Sequence, residues 1–192
     1  MQKKWIILDR DGVINYDSDD YIKTPDEWHP IPGSLEAIAR LNWAGYYIVI
    51  ITNQSGIARG LYNEDTLRDI HKKMDDALNK VGGHVENIFY CPHHPDENCL
   101  CRKPGVDLFK EAARHYKIEL SGVPAVGDKL SDIQAAHWAG CQPLLVKTGH
   151  GERTLAENAN NPILAKVPVY ADLLEAVTTI LKNNNNNKIK IK

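Results

Sequence analysis

Trp5-Ile6-Ile7-Leu8-Asp9-Arg10-Asp11-Gly12-Val13 sets the reading of the chain. Trp5 to Leu8 is a short apolar run of the kind that forms a buried strand. It runs directly into two carboxylates two residues apart. At strand spacing, positions i and i+2 point to the same side, so Asp9 and Asp11 share a side. Two close carboxylates repel, and one of such a pair can keep a proton while the other stays ionised. A cation can also hold the ionised one. The pair therefore offers a nucleophile and a general acid/base in adjacent places. Gly12 lets the chain turn sharply. By itself the stretch is equally compatible with an acidic turn that does no chemistry.

The same alternation of apolar runs and helical periodicity continues outward. Leu35, Ile38, Ala39 and Leu41 suit one helix face before Gly45, and Tyr46 to Ile51 is rich in β-branched residues. Asn63 is a plausible N-cap for a helix carrying Leu67, Ile70, Met74, Leu78 and Val81, ended by Gly82-Gly83. Val85 to Tyr90, Val123 to Val126, Pro143 to Val146 and Val167 to Tyr170 read as further strands. Val106 to Tyr116, Ile133 to Trp138 and Leu173 to Leu181 read as helices. Strands spaced by helices predict an α/β fold: a three-layer, Rossmann-like, mostly parallel sheet with helices on both faces. Ligands of such sheets sit outside the C-terminal strand ends. One domain is expected over 1–182, and the asparagine-rich 183–192 reads as a disordered tail.

Composition excludes several classes. The 192 residues are 43% apolar and 25% charged with a formal net charge of -2. No strong field points to nucleic acid or an anionic membrane. The longest uncharged apolar run, about ten residues around Trp43 to Ile51, falls short of a membrane span of about 20. Met1 to Leu8 lacks the pattern of a signal peptide, so a cytoplasmic protein is expected. Nothing in the sequence demands more than a monomer.

Two further clusters lie near predicted strand ends. Thr52-Asn53 follows Tyr46 to Ile51. Its hydroxyl and amide, with the backbone N–H groups of Gln54-Ser55-Gly56, suit phosphate oxygens, although such residues are also common in turns. Asp128 follows Val123 to Val126 and suits a hard cation such as Mg²⁺. Asp132 is open between that site and a carboxylate at a helix start.

Cys91, His93, Cys99 and Cys101 form a third cluster. Three thiolates and an imidazole in one short loop fill a tetrahedron around Zn²⁺ with no position left for water, which makes the metal structural. His94 is either a bystander or a substitute for His93, and Cys141 reads as a small buried residue. Arg102-Lys103-Pro104 follows at once, so a zinc-braced loop presents cations to the crevice. Lys103 offers a point charge to a phosphoryl group and Arg102 a planar fork to a second anion or a sugar.

Asp9-x-Asp11-Gly12-Val13, Thr52-Asn53, Lys103 and Gly127-Asp128 stand in the order of the four motifs of the haloacid dehalogenase-like phosphatases, and the resemblance covers Trp5 to about Gly149. Within it, Leu8 to Asn15, Ile51 to Gly60, Cys91 to Pro95, Cys101 to Pro104 and Val126 to Leu130 resemble the branch acting on D-glycero-D-manno-heptose 1,7-bisphosphate. The histidinol-phosphate phosphatases share the DRDG start, the zinc loop and the RKP segment, and are the alternative. The piece Pro95 to Asn98 is shorter than in many heptose enzymes. The resemblance implies hydrolysis of the 7-phosphate through an aspartyl-phosphate, in nucleotide-activated heptose and lipopolysaccharide biosynthesis. Asp9 would attack phosphorus, and Asp11 would protonate the leaving oxygen and later deprotonate water. Asp9, the Asp11 carbonyl and Asp128 would hold Mg²⁺. Thr52 and Lys103 would steady the phosphoryl group, with Asn53, Gln54, Ser55 and Lys129 close by. Asp17, Ser18, Asp19 and Asp20 would meet the sugar, and Arg102 the distal phosphate. The intervals between motifs leave no room for a large cap domain. A small sugar bisphosphate is therefore the expected partner, with no nucleic acid and no membrane.

Overall fold

A computed structural model describes residues 3–189. Among these residues, six strands form one sheet in the order β3-β2-β1-β4-β5-β6. The strands are β1 Lys4–Leu8, β2 Tyr46–Asn53, β3 Asn87–Cys91, β4 Pro124–Gly127, β5 Gln142–Val146 and β6 Val169–Tyr170. Every pairing is parallel, with Leu8 against Ile50 on one side of β1 and against Val126 on the other. The order reverses beside β1, which makes the crevice between β1 and β4 the switch point where ligands of such sheets bind.

The period-two alternation of the strands divides the interior. Ile6, Leu8, Ile48 and Ile50 pack in one cluster with Ile38 and Leu41 of α1 (Ser34–Trp43), Ile70 and Met74 of α2 (Glu64–Lys80), and Val177 of α6 (Leu173–Ile189). Trp5, Ile7, Val49 and Ile51 pack in the other with Leu108 and Phe109 of α3 (Asp107–Tyr116) and Ala135 of α4 (Leu130–Trp138). The central strands β1 and β2 bury both faces, and the helices that cover them form the outer layers. The Asn63 side chain accepts the Thr66 N–H at 2.8 Å and starts α2.

Several boundaries differ from the sequence reading. Strand β2 runs to Asn53, so Thr52 and Asn53 end the strand instead of following it. Cys91 is the last residue of β3. Helix α5 (Gly151–Glu157) had no apolar repeat to announce it; its first residue and Thr154 are buried. Helix α6 continues to Ile189, into the stretch expected as a tail, while 190–192 lie outside the described residues. The two long insertions carry only short 3-10 turns, Pro25–Glu27 and Pro95–Glu97, among the described residues. None of the described helices is long and apolar enough to cross a membrane.

The division of α1 gives a stability test. Ile38 is fully buried and Glu36 lies on the exposed side. Ile38→Ala is expected to cost about 3 kcal/mol in urea unfolding, and Glu36→Ala no more than about 0.5 kcal/mol.

Candidate active site

Asp9 leaves the end of β1 with its N–H on the Val126 carbonyl at 2.9 Å, which sets it beside β4. Asp128, one residue past β4, is fully buried. Two loops close on it, and a third reaches Asp9 and Asp132 beside it. A Cβ on Gly12 would lie 2.2 Å from the Asp128 carboxylate, and one on Gly149 would lie 2.3 Å from it. Only glycine permits that approach at these positive φ angles, 82° and 58°. The His150 N–H donates to Asp128 Oδ2 at 2.7 Å.

Lys103 enters from the third loop and is almost fully buried. Its Nζ lies 2.9 Å from Asp9 Oδ1 and 2.7 Å from Asp132 Oδ1, and donates to the Ile51 carbonyl at 2.7 Å. Three acceptors match the three ammonium protons. Burial works against the charge, but Asp132 and Asp9 outweigh it and raise the Lys103 pKa. Asn53 holds the lysine backbone at two points: it accepts the Lys103 N–H at 3.0 Å and donates to its carbonyl at 3.2 Å. Asp132 is the helix-start carboxylate, and it also holds Lys103. Its Oδ2 accepts the Asp128 and Lys129 N–H groups at the start of α4, at 3.2 and 2.9 Å, while Oδ1 holds Lys103.

The two carboxylates of the opening motif have different surroundings. Burial pushes Asp9 up to about 6 despite the opposing charge of Lys103. Burial works against ionisation of the partly buried Asp11, yet the Arg10 guanidinium and hydrogen bonds from Asn15 and Gln54 hold it below the usual carboxylate range. Arg10 Nε and Nη2 fork onto Asp11 at 3.0 and 2.9 Å; Asn15 and Gln54 donate at 2.8 and 2.9 Å. Gln54 in turn receives the Tyr62 hydroxyl at 2.7 Å, and Arg10 Nη1 meets His71 at 3.1 Å. Of the adjacent pair, Asp9 is thus the one that tends to hold a proton when no cation is bound.

The cysteine loop gathers as its spacing predicts. Donor atoms of Cys91, His93, Cys99 and Cys101 all lie within 4.8 Å of one another. The sulfurs are 3.2 to 3.5 Å apart, near the roughly 3.8 Å edge of a tetrahedron with Zn–S bonds of about 2.3 Å. No disulfide links them. Three thiols and an imidazole at this separation fit zinc. His94 is a bystander: its Nδ1 accepts the Asp96 N–H and caps the Pro95–Glu97 turn. Oxygen donors of Asp9, Asp128 and Asp132 form a second compact group, whose hard acidic chemistry fits Mg²⁺. In that group Asp132 is engaged by Lys103.

A cavity of about 390 Å³ opens over this floor. Of the expected residues, Asp9, Asp11, Asp17, Ser18, Asp19, Thr52, Asn53, Gln54, Ser55, Arg102, Lys103 and Lys129 line it; Asp20 is not among them. Asn53 and Gln54 line it with their amides already engaged by Lys103 and Asp11. Tyr21, Tyr62, Ser131, His150 and Arg153 also line it and were missed. They belong to no motif, and the last two lie beyond the matched stretch.

Comparison with known proteins places this geometry. The family model "Polynucleotide kinase 3 phosphatase" matches residues 5–135 and "HAD-hydrolase-like" matches 100–176. A D-glycero-beta-D-manno-heptose-1,7-bisphosphate 7-phosphatase of Pseudomonas aeruginosa is 48% identical over 182 residues, covering 95% of this chain and 100% of the relative. One of the same name from Bordetella bronchiseptica is 58% identical, covering 80% and 86%. The chain belongs to the heptose-1,7-bisphosphate 7-phosphatase family of haloacid dehalogenase-like hydrolases. The crystal structure of the D,D-heptose 1,7-bisphosphate phosphatase of B. bronchiseptica, complexed with magnesium and phosphate, superposes with a TM-score of 0.90 at 52% identity, covering 94% and 99%. That of Burkholderia thailandensis gives 0.72 at 41%, covering 93% and 99%.

Two measurements test the site. Asn53→Ala removes the clamp on Lys103 and should lower kcat about tenfold or more, with the fold and zinc content unchanged. The second concerns pH. A carboxylate whose folded pKa is raised contributes stability below its unfolded pKa and loses it as pH rises through the folded value. Burial raises Asp9 to about 6 and Asp128 to about 8. Without Mg²⁺ the melting temperature should therefore fall between about pH 5 and pH 8, and the rise on adding Mg²⁺ should grow across that window. A Mg²⁺ effect of constant size would show that these carboxylates do not hold the ion.

Proposed function

We propose that the protein hydrolyses the 7-phosphate of D-glycero-beta-D-manno-heptose 1,7-bisphosphate and leaves the anomeric phosphate in place. The observation that carries this reading is the buried Asp9–Lys103 pair at the floor of a cavity rimmed by Arg102 and Lys129, in a chain whose full-length relatives bear that name. The β anomer is taken from the names of those relatives. Asp9 attacks phosphorus, the bond to the sugar oxygen breaks, and an aspartyl-phosphate forms. Asp11 protonates the departing oxygen, then takes a proton from the water that hydrolyses the intermediate. Thr52 and Lys103 hold the phosphoryl oxygens in line with Asp9. Phosphoryl transfer asks mainly for such positioning and charge neutralisation.

Mg²⁺, which the B. bronchiseptica structure contains with phosphate, would be held by Asp9, Asp128 and the Asp11 carbonyl and would neutralise charge on the phosphoryl group. Zinc at Cys91, His93, Cys99 and Cys101 would have no chemical part. Asp11 must leave the Arg10 fork to act as the acid, because all four of its close donors favour the ionised form. Asp17, Ser18 and Asp19 face the sugar and Arg102 the distal phosphate. On this reading the enzyme is a cytoplasmic monomer in nucleotide-activated heptose biosynthesis.

The test is a substrate panel of both heptose anomers, histidinol phosphate and a 3′-phosphorylated oligonucleotide. The heptose bisphosphate should be preferred, releasing one phosphate per molecule. Faster turnover of histidinol phosphate or of the oligonucleotide would refute the assignment. Asp9→Asn should lower kcat by roughly a thousandfold or more; survival of activity would refute the nucleophile.

A further inference from the structure

One cluster on the cavity wall ties Asp17 and Lys129, both expected at the substrate, to His150, which no motif names. Asp17 Oδ2 receives Lys129 Nζ at 2.8 Å, and His150 Nε2 lies 3.0 Å from the same oxygen. Lys129 is shared, since its Nζ also lies 3.3 Å from Asp128 Oδ1. His150 is the more fixed of the two. Its N–H is tied to Asp128 at 2.7 Å, and the Thr148 hydroxyl, two residues before, donates to the Gly12 carbonyl at 2.7 Å. At its other end the stretch 17–22 is pinned by Ile22, buried in the core, with the Arg59 guanidinium 5.8 Å from the Tyr21 ring. Between these anchors Ser18, Asp19 and Tyr21 line the cavity.

We propose that His150 is a positioning residue: with Lys129 it latches Asp17 and holds the stretch 17–22 as a wall shaped for the hydroxyl-bearing body of the sugar. The proposal rests on the heptose bisphosphate reading for its substrate, but the latch itself does not. When a phosphoryl oxygen or a cation competes for Lys129 or Asp128, His150 keeps Asp17 in place. A substrate without a polyol chain gains nothing from that wall.

Two readouts test this. Hydrogen exchange of the metal-loaded, substrate-free protein should show residues 17–22 exchanging faster in His150→Ala than in the unmodified protein, with 91–101 unchanged. In kinetics, His150→Ala should lose about tenfold more kcat/KM on the heptose bisphosphate than on p-nitrophenyl phosphate. The loss should appear mainly in KM, and His150→Gln, which retains a donor, should recover part of it. Asp17→Asn provides a second variant with the same expected pattern. Unaltered exchange in 17–22, or equal loss on both substrates, would overturn the latch. If the unmodified protein turns over p-nitrophenyl phosphate and not the heptose bisphosphate, the substrate reading fails, while the exchange experiment still decides the latch.

Discussion

A buried ammonium, Lys103 Nζ, sits between Asp9, Asp132 and the Ile51 carbonyl. An isolated charge taken out of water is strongly unfavourable, and this one persists because every proton has an acceptor. The requirement reaches in all directions. Ile51 must stand near the C-terminal end of β2, Asp132 in the first turn of α4, and Asp9 must leave β1 beside β4. The lysine backbone must be held too, by Asn53 on one side and by the Cys99–Cys101 end of the metal cluster on the other. Three buried carboxylates against Lys103 and Lys129 leave a negative excess at the crevice floor. That excess favours a divalent cation there. On the proposed function the same floor would receive a phosphoryl group, with the cation and Lys103 offsetting its charge.

The neighbouring carboxylates Asp9 and Asp11 show how environment divides labour between identical groups. Burial moves Asp9 toward the protonated form, with Lys103 and Lys129 opposing and Asp132 and Asp11 adding to the shift, until a metal ion arrives. Asp11 is surrounded by donors and stays ionised. The network behind it, through Gln54 to Tyr62 and through Arg10 to His71, is buried and well satisfied. Burial and the adjacent Arg10 charge push His71 down to about 3, which keeps it neutral and able to accept from the guanidinium. For Asp11 to serve as an acid, substrate must draw it from this nest, so the resting arrangement keeps the proton donor out of use when the cavity is empty of substrate.

Much of this was legible in the sequence. Helix and strand order followed from apolar periodicity, since the central strands β1 and β2 bury both faces and read as nearly continuous apolar runs. The metal loop was legible because thiolate spacing has few other uses. The floor of the site was legible because sheet topology brings the ends of β1, β2 and β4 together whatever lies between them. Other features left no local signal. The double duty of Asp132 depends on Lys103 arriving from 29 positions upstream in the chain. The amides of Asn53 and Gln54, read as substrate contacts, are engaged by Lys103 and Asp11, pairings that motifs read one at a time do not announce. His150 and Arg153 reach the cavity through α5, a short helix without an amphipathic repeat, so pattern reading passed over them.

The metal-braced loop, through Lys103, sets the charge arrangement around Asp9 that the proposed function requires for phosphate. Calorimetric titration of inorganic phosphate at fixed Mg²⁺, with zinc-loaded and zinc-stripped protein, tests it most directly. With the sheet intact by circular dichroism, the account predicts that stripping zinc weakens phosphate binding by about tenfold or more. Equal affinity in the two forms would contradict it.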